Sequence, residues 1–280
     1  MTEISRSNAN LLLKTKLLLR ANQVLPNRFL GQNFMIEPSI FQIMGDYASL
    51  DKSDIAIDIG AGFGFLTRFL ANKCKSVAAV EIDDRLVKIL REEIKDLTNV
   101  RVVHGNILKI PVPKFNKVVS IPPYQVSSRL LLWLFSQSFD NAALVFQKEF
   151  ADRLMAPVGS ESYGWLTVLT YYYSQCELLD DIPRSMFYPQ PKVDSIIVYL
   201  KPKRPPPFSL KNTVLFTKLT QSVFTQRNRK VRNAILPFLK GVLAKNPEET
   251  TACTAKIPFS DKRVRELEPE DFGVLANAIA

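Results

Sequence analysis

Histidine is almost missing from this chain: His104 is the only one in 280 residues. That scarcity excludes histidine-built metal centres and catalysis by a Ser-His-Asp triad. Cysteine is also sparse, with Cys74, Cys176 and Cys253 far apart and no Cys-x-x-Cys pair. The pattern gives no thiolate metal cage and no disulfide framework, and it suits a reducing compartment. No metal is expected. No apolar run reaches the roughly 18 residues of a membrane span. Leu11–Leu19 is split by Lys14 and Lys16, lacks a small-residue cleavage site after it, and reads as an amphipathic helix. Internal repeats and low-complexity tracts are absent too. The expectation is a soluble, cytoplasmic protein, acting as a monomer with no membrane partner.

Acidic residues are missing from one long stretch. Between Lys201 and Asn246 there are eleven Lys or Arg residues and no Asp or Glu. Residues 1–35 add five basic residues against Glu3 alone, and since the net charge is +10 the remainder is net acidic. A basic tail on an acidic body points to a polyanion held by one part of the molecule. A solvated surface that only aids solubility is the alternative.

What is present suits a folded core, with 46% hydrophobic and 10% aromatic residues. Residues 36–203 alternate strand-like and helical patterns, the mark of an α/β fold with a mainly parallel sheet. Strands are expected at Ile55–Ile59, Ser76–Ile82, Val100–His104, Lys117–Ser120 and Ala142–Gln147. Helices are expected from Phe65, over Arg85–Lys95, from Arg129 and over Ser162–Tyr173. Gln175–Asp180 and Val193–Leu200 are expected to pair as an antiparallel hairpin at the sheet edge. Lys201–Phe208 carries three consecutive prolines and reads as a linker. Beyond it, Val214–Val223, Val231–Leu239 and Pro269–Ala278 read as helices. The predicted organisation is a basic segment over 1–35, a catalytic domain over 36–203, and a small all-α domain over 209–280.

Two segments carry chemistry. In Ile55-Ala-Ile-Asp-Ile-Gly-Ala-Gly-Phe-Gly-Phe-Leu-Thr67 a strand enters a glycine-rich turn before a helix. Glycine there permits positive φ and lets backbone amides approach a ligand. Glu81 ends the next strand, where a carboxylate can accept from the hydroxyls of an adenosine ribose. Asn106 follows the third strand, placed for an adenine ring. Dinucleotide enzymes use a similar turn, but their fingerprint is Gly-x-Gly-x-x-Gly, whereas this chain has Gly-x-Gly-x-Gly. The pattern resembles S-adenosylmethionine-dependent methyltransferases.

The second segment is Val118-Val-Ser-Ile-Pro-Pro-Tyr-Gln-Val-Ser-Ser128. Its Pro-Pro-Tyr is similar to the element with which adenine-amine methyltransferases hold an extruded base. The lone pair of that amine is conjugated into the ring, so acceptors on its N–H groups help direct it toward the methyl donor. Pro122 can offer its carbonyl and Tyr124 an aromatic face. Asn or Asp usually precedes this element; here Ile121 has no side-chain acceptor. Loss of one preorganised hydrogen-bonding group costs roughly 100- to 1,000-fold in rate. The Ile121 backbone carbonyl can still serve the cofactor. Ser120 and Gln125 are polar neighbours with no assigned part.

The resemblance then narrows. Gly31-Gln-Asn-Phe34, the glycine loop, Gln147-Lys-Glu149, Phe187-Tyr-Pro-Gln-Pro-Lys-Val-Asp-Ser195 and Gln226-Arg-Asn-Arg-Lys-Val-Arg-Asn233 occur in order. From about Arg28 to the C-terminus the chain resembles the ribosomal RNA adenine dimethyltransferases, the KsgA-type family. Such enzymes modify adjacent adenosines near the 3′ end of small-subunit rRNA and take part in subunit maturation. The resemblance implies a class I, Rossmann-like methyltransferase fold with a seven-stranded sheet and S-adenosylmethionine as cofactor. It implies that Asn33, Met35, Gly60, Glu81, Asn106 and Ile121 border that cofactor, and that Tyr124 and Phe187 sandwich the target adenine beside Pro122. It further implies that Arg227, Arg229, Lys230 and Arg232 bind rRNA phosphates. Phe187 and Met35 also fit plain core positions, and the four basic residues fit a solvated helix. Ile121 leaves open a ribosome-assembly factor that methylates weakly or not at all. A DNA adenine methyltransferase also uses Pro-Pro-Tyr, but the Phe187–Ser195 and Gln226–Asn233 segments speak against it.

Overall fold

The computed structural model describes residues 3–244 and 246–280. Residues 1 and 2 of the basic segment and Lys245 of the basic tail lie outside the described residues. The strands are β1 (Phe34–Met35), β2 (Ile55–Ile59), β3 (Ser76–Glu81), β4 (Val100–His104), β5 (Lys117–Ser120), β6 (Asn141–Gln147), β7 (Ser174–Ile182), β8 (Phe187–Tyr188) and β9 (Ser195–Pro202). The helices up to the proline-rich stretch are α1 (Glu3–Ala21), α2 (Ser39–Tyr47), α3 (Phe65–Lys73), α4 (Asp84–Glu93), α5 (Ser127–Phe135), α6 (Lys148–Asp152) and α7 (Trp165–Tyr173). After it come α8 (Thr213–Phe224), α9 (Val231–Ala234), α10 (Leu236–Gly241), α11 (Pro247–Ala255) and α12 (Pro269–Ile279).

Seven strands form one sheet in the order β4-β3-β2-β5-β6-β9-β7. Strands β2 to β6 run parallel, and β9 lies antiparallel on β6. The short strands are buried on both faces, which is why they read as apolar runs rather than alternating ones. Strand order reverses between β2 and β5. In an open α/β sheet that reversal leaves a crevice beyond the carboxyl ends of the two strands. The glycine loop leaves β2 at this point, and Ile121 leaves β5 beside it.

The two segments expected to pair at the sheet edge are neighbours there, as β7 and β9, but a long connection joins them. The chain between them leaves the sheet, and its β8 pairs antiparallel with β1. Phe34 faces Tyr188 and Met35 faces Phe187 in that ribbon.

The chain divides into two compact units. One runs to Ala151 and takes in Glu177–Pro202. The other joins Asp152–Cys176 to Lys203–Ala280, so α7 is grouped with the C-terminal helices rather than with the sheet. The second unit has its own core: Phe216, Leu219, Val223 and Leu275 are buried, and Phe224 stacks on Phe272 with centroids 5.1 Å apart. Tyr163 fixes it further by donating to Leu267 O at 2.8 Å. The helix expected over Val231–Leu239 is two helices, α9 and α10. Pro237 lacks the N–H that a continuous helix would donate to the Asn233 carbonyl.

Candidate active site

Two adjoining open clefts, of about 470 and 400 Å³, lie at the crevice. Asn33, Phe34, Gly60, Gly62 and Ile121 line both. Glu81, Pro122 and Tyr124 line the first, and Met35 and Asp58 the second. The glycine and Pro-Pro-Tyr segments, some sixty residues apart in sequence, therefore meet at one place.

Local backbone geometry explains the glycines. Gly60 has φ +81°, and a Cβ there would meet Pro123 Cδ at 2.8 Å. A side chain at Gly60 would drive the two halves of the site apart. Gly62, at φ +56°, donates its amide to Glu81 Oε2 at 2.9 Å. Glu81 Oε1 accepts from the amides of Ile82 and Asp83 at 2.8 and 2.9 Å. Burial raises the Glu81 pKa, and these three amides oppose the rise. Oε2 accepts the Gly62 bond and keeps capacity to accept another, and Glu81 lines the first cleft.

Ser120 is committed elsewhere: its hydroxyl accepts from Ile59 N at 2.7 Å and contacts Ile57 O at 3.3 Å. It does not replace the acceptor that Ile121 lacks. Ile121 packs against an apolar cluster containing Met35, Phe41, Leu66 and Phe187, which accounts for a hydrocarbon side chain being tolerated there. Tyr124 is half-buried; its hydroxyl is 2.7 Å from Ser195 Oγ, and burial raises its pKa. Ser127 Oγ donates to Tyr124 O at 2.8 Å, closing the turn after Pro-Pro-Tyr.

Two of the expected neighbours stand apart. Phe187 is 3% exposed and lines neither cleft. Its ring meets Tyr124 edge-on, at 73° with centroids 6.5 Å apart. Two rings enclosing a flat base must lie parallel and about 7 Å apart, two stacking distances, so this pair does not form a sandwich. Asn106 likewise lines neither cleft, and its Oδ1 accepts from Leu108 N at 3.0 Å. The position is nonetheless close to the site, because Gly105 N donates to Glu81 O at 2.8 Å. Residues that sequence reasoning missed include Gln32, Ile82 and Asp58. Gln32 Nε2 donates to Asp83 Oδ2 at 2.8 Å, and Ile82 leaves 43% of its surface exposed at the cleft. An apolar residue directly after the strand-end Glu81 was the available signal for Ile82.

In the second unit the basic residues divide. Arg227 donates to the carbonyls of Ser160, at 2.6 Å, and Glu161, bracing that loop. Lys230 and Arg232 share Asp261, with Lys230 Nζ 3.0 Å from its Oδ1. Arg229 is exposed and has no side-chain partner among the described residues.

A model described as ribosomal RNA adenine dimethylase matches residues 25–266. The chain belongs to that family. The probable ribosomal RNA small subunit methyltransferase A of Methanosarcina acetivorans is 36% identical over 256 residues, 89% of this chain and 91% of that one. Among solved structures, a dimethyladenosine transferase from Plasmodium falciparum superposes with TM-score 0.70 at 28% identity, covering 84% of this chain and 93% of that one. The 23S rRNA methyltransferase ErmE follows with TM-score 0.62 and 26% identity over 88% of this chain and 99% of its own. The fold and cofactor of this dimethylase are those of S-adenosylmethionine-dependent methyltransferases. The residues present fit that cofactor: positive-φ glycines a Cβ would obstruct, beside a buried carboxylate. Among the described residues no helix is long and apolar enough to cross a membrane, and no cluster of His, Cys, Asp or Glu suits a metal ion.

Proposed function

We propose that the chain dimethylates the N6 amines of adjacent adenosines near the 3′ end of small-subunit rRNA, acting as a cytoplasmic monomer on immature subunits. The observation that carries this reading is the shared cleft, where Gly60 and Glu81 meet Ile121, Pro122 and Tyr124. Bound S-adenosylmethionine supplies an electrophilic methyl group. Asn33 and Met35 would border the cofactor, Gly60 would approach its methionine part, and the Glu81 carboxylate would accept from its ribose hydroxyls. Asn106 Oδ1, which already accepts from Leu108 N, has a second lone pair for the adenine amine. The backbone carbonyl of Ile121 would hold the cofactor's amino group, and that of Pro122 would accept from the target amine. Tyr124 gives the face on which the base stacks, and Phe187 supports that ring from its edge. No side-chain general base is required, because the amine becomes acidic once methylated and loses its proton to water. Arg229, Lys230 and Arg232, on the helical 209–280 segment, meet rRNA phosphates.

Ile121 favours a second reading, a subunit-assembly factor that retains cofactor and rRNA binding but transfers methyl groups slowly. Methyl incorporation into unmethylated subunits, followed by mass spectrometry, separates the two. The Ile121→Asn variant is expected to incorporate about 100- to 1,000-fold faster than wild type. Equal rates would show that the missing acceptor does not limit transfer. No incorporation by wild type, with tight subunit binding retained, would establish the assembly role.

A further inference from the structure

Phe29 is 91% exposed, the most exposed large apolar side chain among the described residues. A single exposed apolar residue is ordinary on a protein surface. What sets Phe29 apart is the rigidity and position of the turn that carries it. Asn27 Oδ1 accepts from Phe29 N at 2.9 Å, and Asn27 O accepts from Leu30 N and Gln32 N, each at 3.2 Å. Gln32 closes the turn from the other side: its Oε1 accepts from Asn27 N at 2.7 Å, while its Nε2 donates to Asp83 Oδ2 at 2.8 Å. Asp83 is itself held by Arg85, which depresses its pKa to about 2, so that anchor stays charged.

The turn also sits directly on the base-holding element. Gly31, at φ +65°, comes so close that an added Cβ would lie 3.4 Å from Pro123 Cβ and 3.6 Å from Tyr124 N. Leu30 and Gly31 line the cleft itself. Phe29 thus projects outward from a braced turn at the rim of the cleft that admits a base, and it does not line that cleft. An aromatic ring fixed beside such a mouth offers a stacking surface that any base can use, because every base has a π-face.

We propose that Phe29 stacks on the nucleobase adjacent to the one held at Tyr124, making the turn Asn27–Gln32 a second base-binding site. Extruding one base unstacks its neighbours, and Phe29 replaces the lost stacking on one side. In a substrate with paired adenosines, that surface keeps the RNA strand in register while one adenine and then the next enters the cleft. This inference rests on the RNA-methylating reading above.

The test is equilibrium binding of the full chain, with S-adenosylhomocysteine present, to small subunits reconstituted with rRNA made abasic at either flank of the target. Phe29→Ala should bind intact particles about 5- to 100-fold more weakly than wild type, and Phe29→Trp should restore binding. On particles abasic at the stacked flank, wild type should fall to the level of Phe29→Ala, and the variant should lose nothing more. Thermal melting and cofactor affinity of Phe29→Ala should match wild type. Wild-type affinity of Phe29→Ala for intact particles would overturn the proposal. So would an equal loss on intact and both abasic particles, which would place Phe29 against something other than a base, such as a subunit protein. Wild type that binds no particle at all would remove the RNA reading together with this one.

Discussion

Asp58 ends its side chain against Thr67, whose hydroxyl donates to Oδ2 at 2.6 Å, and only 1% of the residue is exposed. Burial pushes its carboxyl up to about 7; the Thr67 bond opposes this and the charge of Glu81 adds to it. An acid raised in the fold keeps its proton after the unfolded chain has released it near the ordinary 3.8. Its contribution to stability is therefore full below about pH 4 and is lost as pH rises through about 7. Asn at this position still accepts from Thr67 but does not titrate. Unfolding free energies from urea titrations of Asp58→Asn and wild type should diverge in favour of the variant from about pH 4 to about pH 8, by up to about 4 kcal/mol. A pH-independent difference would contradict this. The part of Asp58 was not legible in the sequence, because it depends on what a strand residue is buried against. Glu81 was legible, since a carboxylate at a strand end after a glycine loop has a chemical purpose that position alone suggests. Phe187 shows the opposite limit: its motif placed it at the site, but the β1–β8 ribbon turns its ring into the core.

Strands and turns were more legible than helices. β2, β4 and β5 fall at Ile55–Ile59, Val100–His104 and Lys117–Ser120, the spans that their sequence patterns outline. α11 gave no such signal, because few of its residues are apolar. It is specified by its start, where Asn246 and Glu249 form a capping box ahead of Pro247 at the first helical position. α2 was missed because a short helix fixed by tertiary packing carries little periodicity of its own, and over Val231–Leu239 the helical pattern was legible but the break between α9 and α10 was not. The strand-to-helix turn from β2 to α3 yields a separable prediction. Gly64 caps α3 at φ +79°, and a Cβ there would lie 2.6 Å from Leu90 Cδ1 and 3.0 Å from Ile94 Cγ2, on and just after α4. Gly64 lines neither cleft. Gly64→Ala should lower stability by about 1–3 kcal/mol through overpacking and strain. Thermal melts would show this, and an unchanged melting temperature would count against the packing described for this turn.

Over the full chain, charge asymmetry was evident from composition, but which cations are free was not. Arg227 spends its guanidinium on two backbone carbonyls, whereas Arg229 is exposed without a partner among the described residues. The two residues should fail differently. Arg229→Ala should weaken rRNA binding across sequences and reduce the slope of log affinity against log salt by about one, without changing the melt. Arg227→Ala should lower the melting temperature, because it leaves two carbonyls without their donors. Salt titrations and melts on both variants decide this; a reversed pattern would move the phosphate contact to Arg227.

The account depends most on the cleft where β2 and β5 diverge holding a sulfonium donor beside an extruded purine. Isothermal titration calorimetry with S-adenosylmethionine and S-adenosylhomocysteine tests it most directly. Saturable binding of both ligands to wild type is expected, with binding abolished in Gly60→Ala, whose added methyl would press on Pro123 at 2.8 Å. No binding by correctly folded wild type, or undiminished binding by Gly60→Ala, would contradict it.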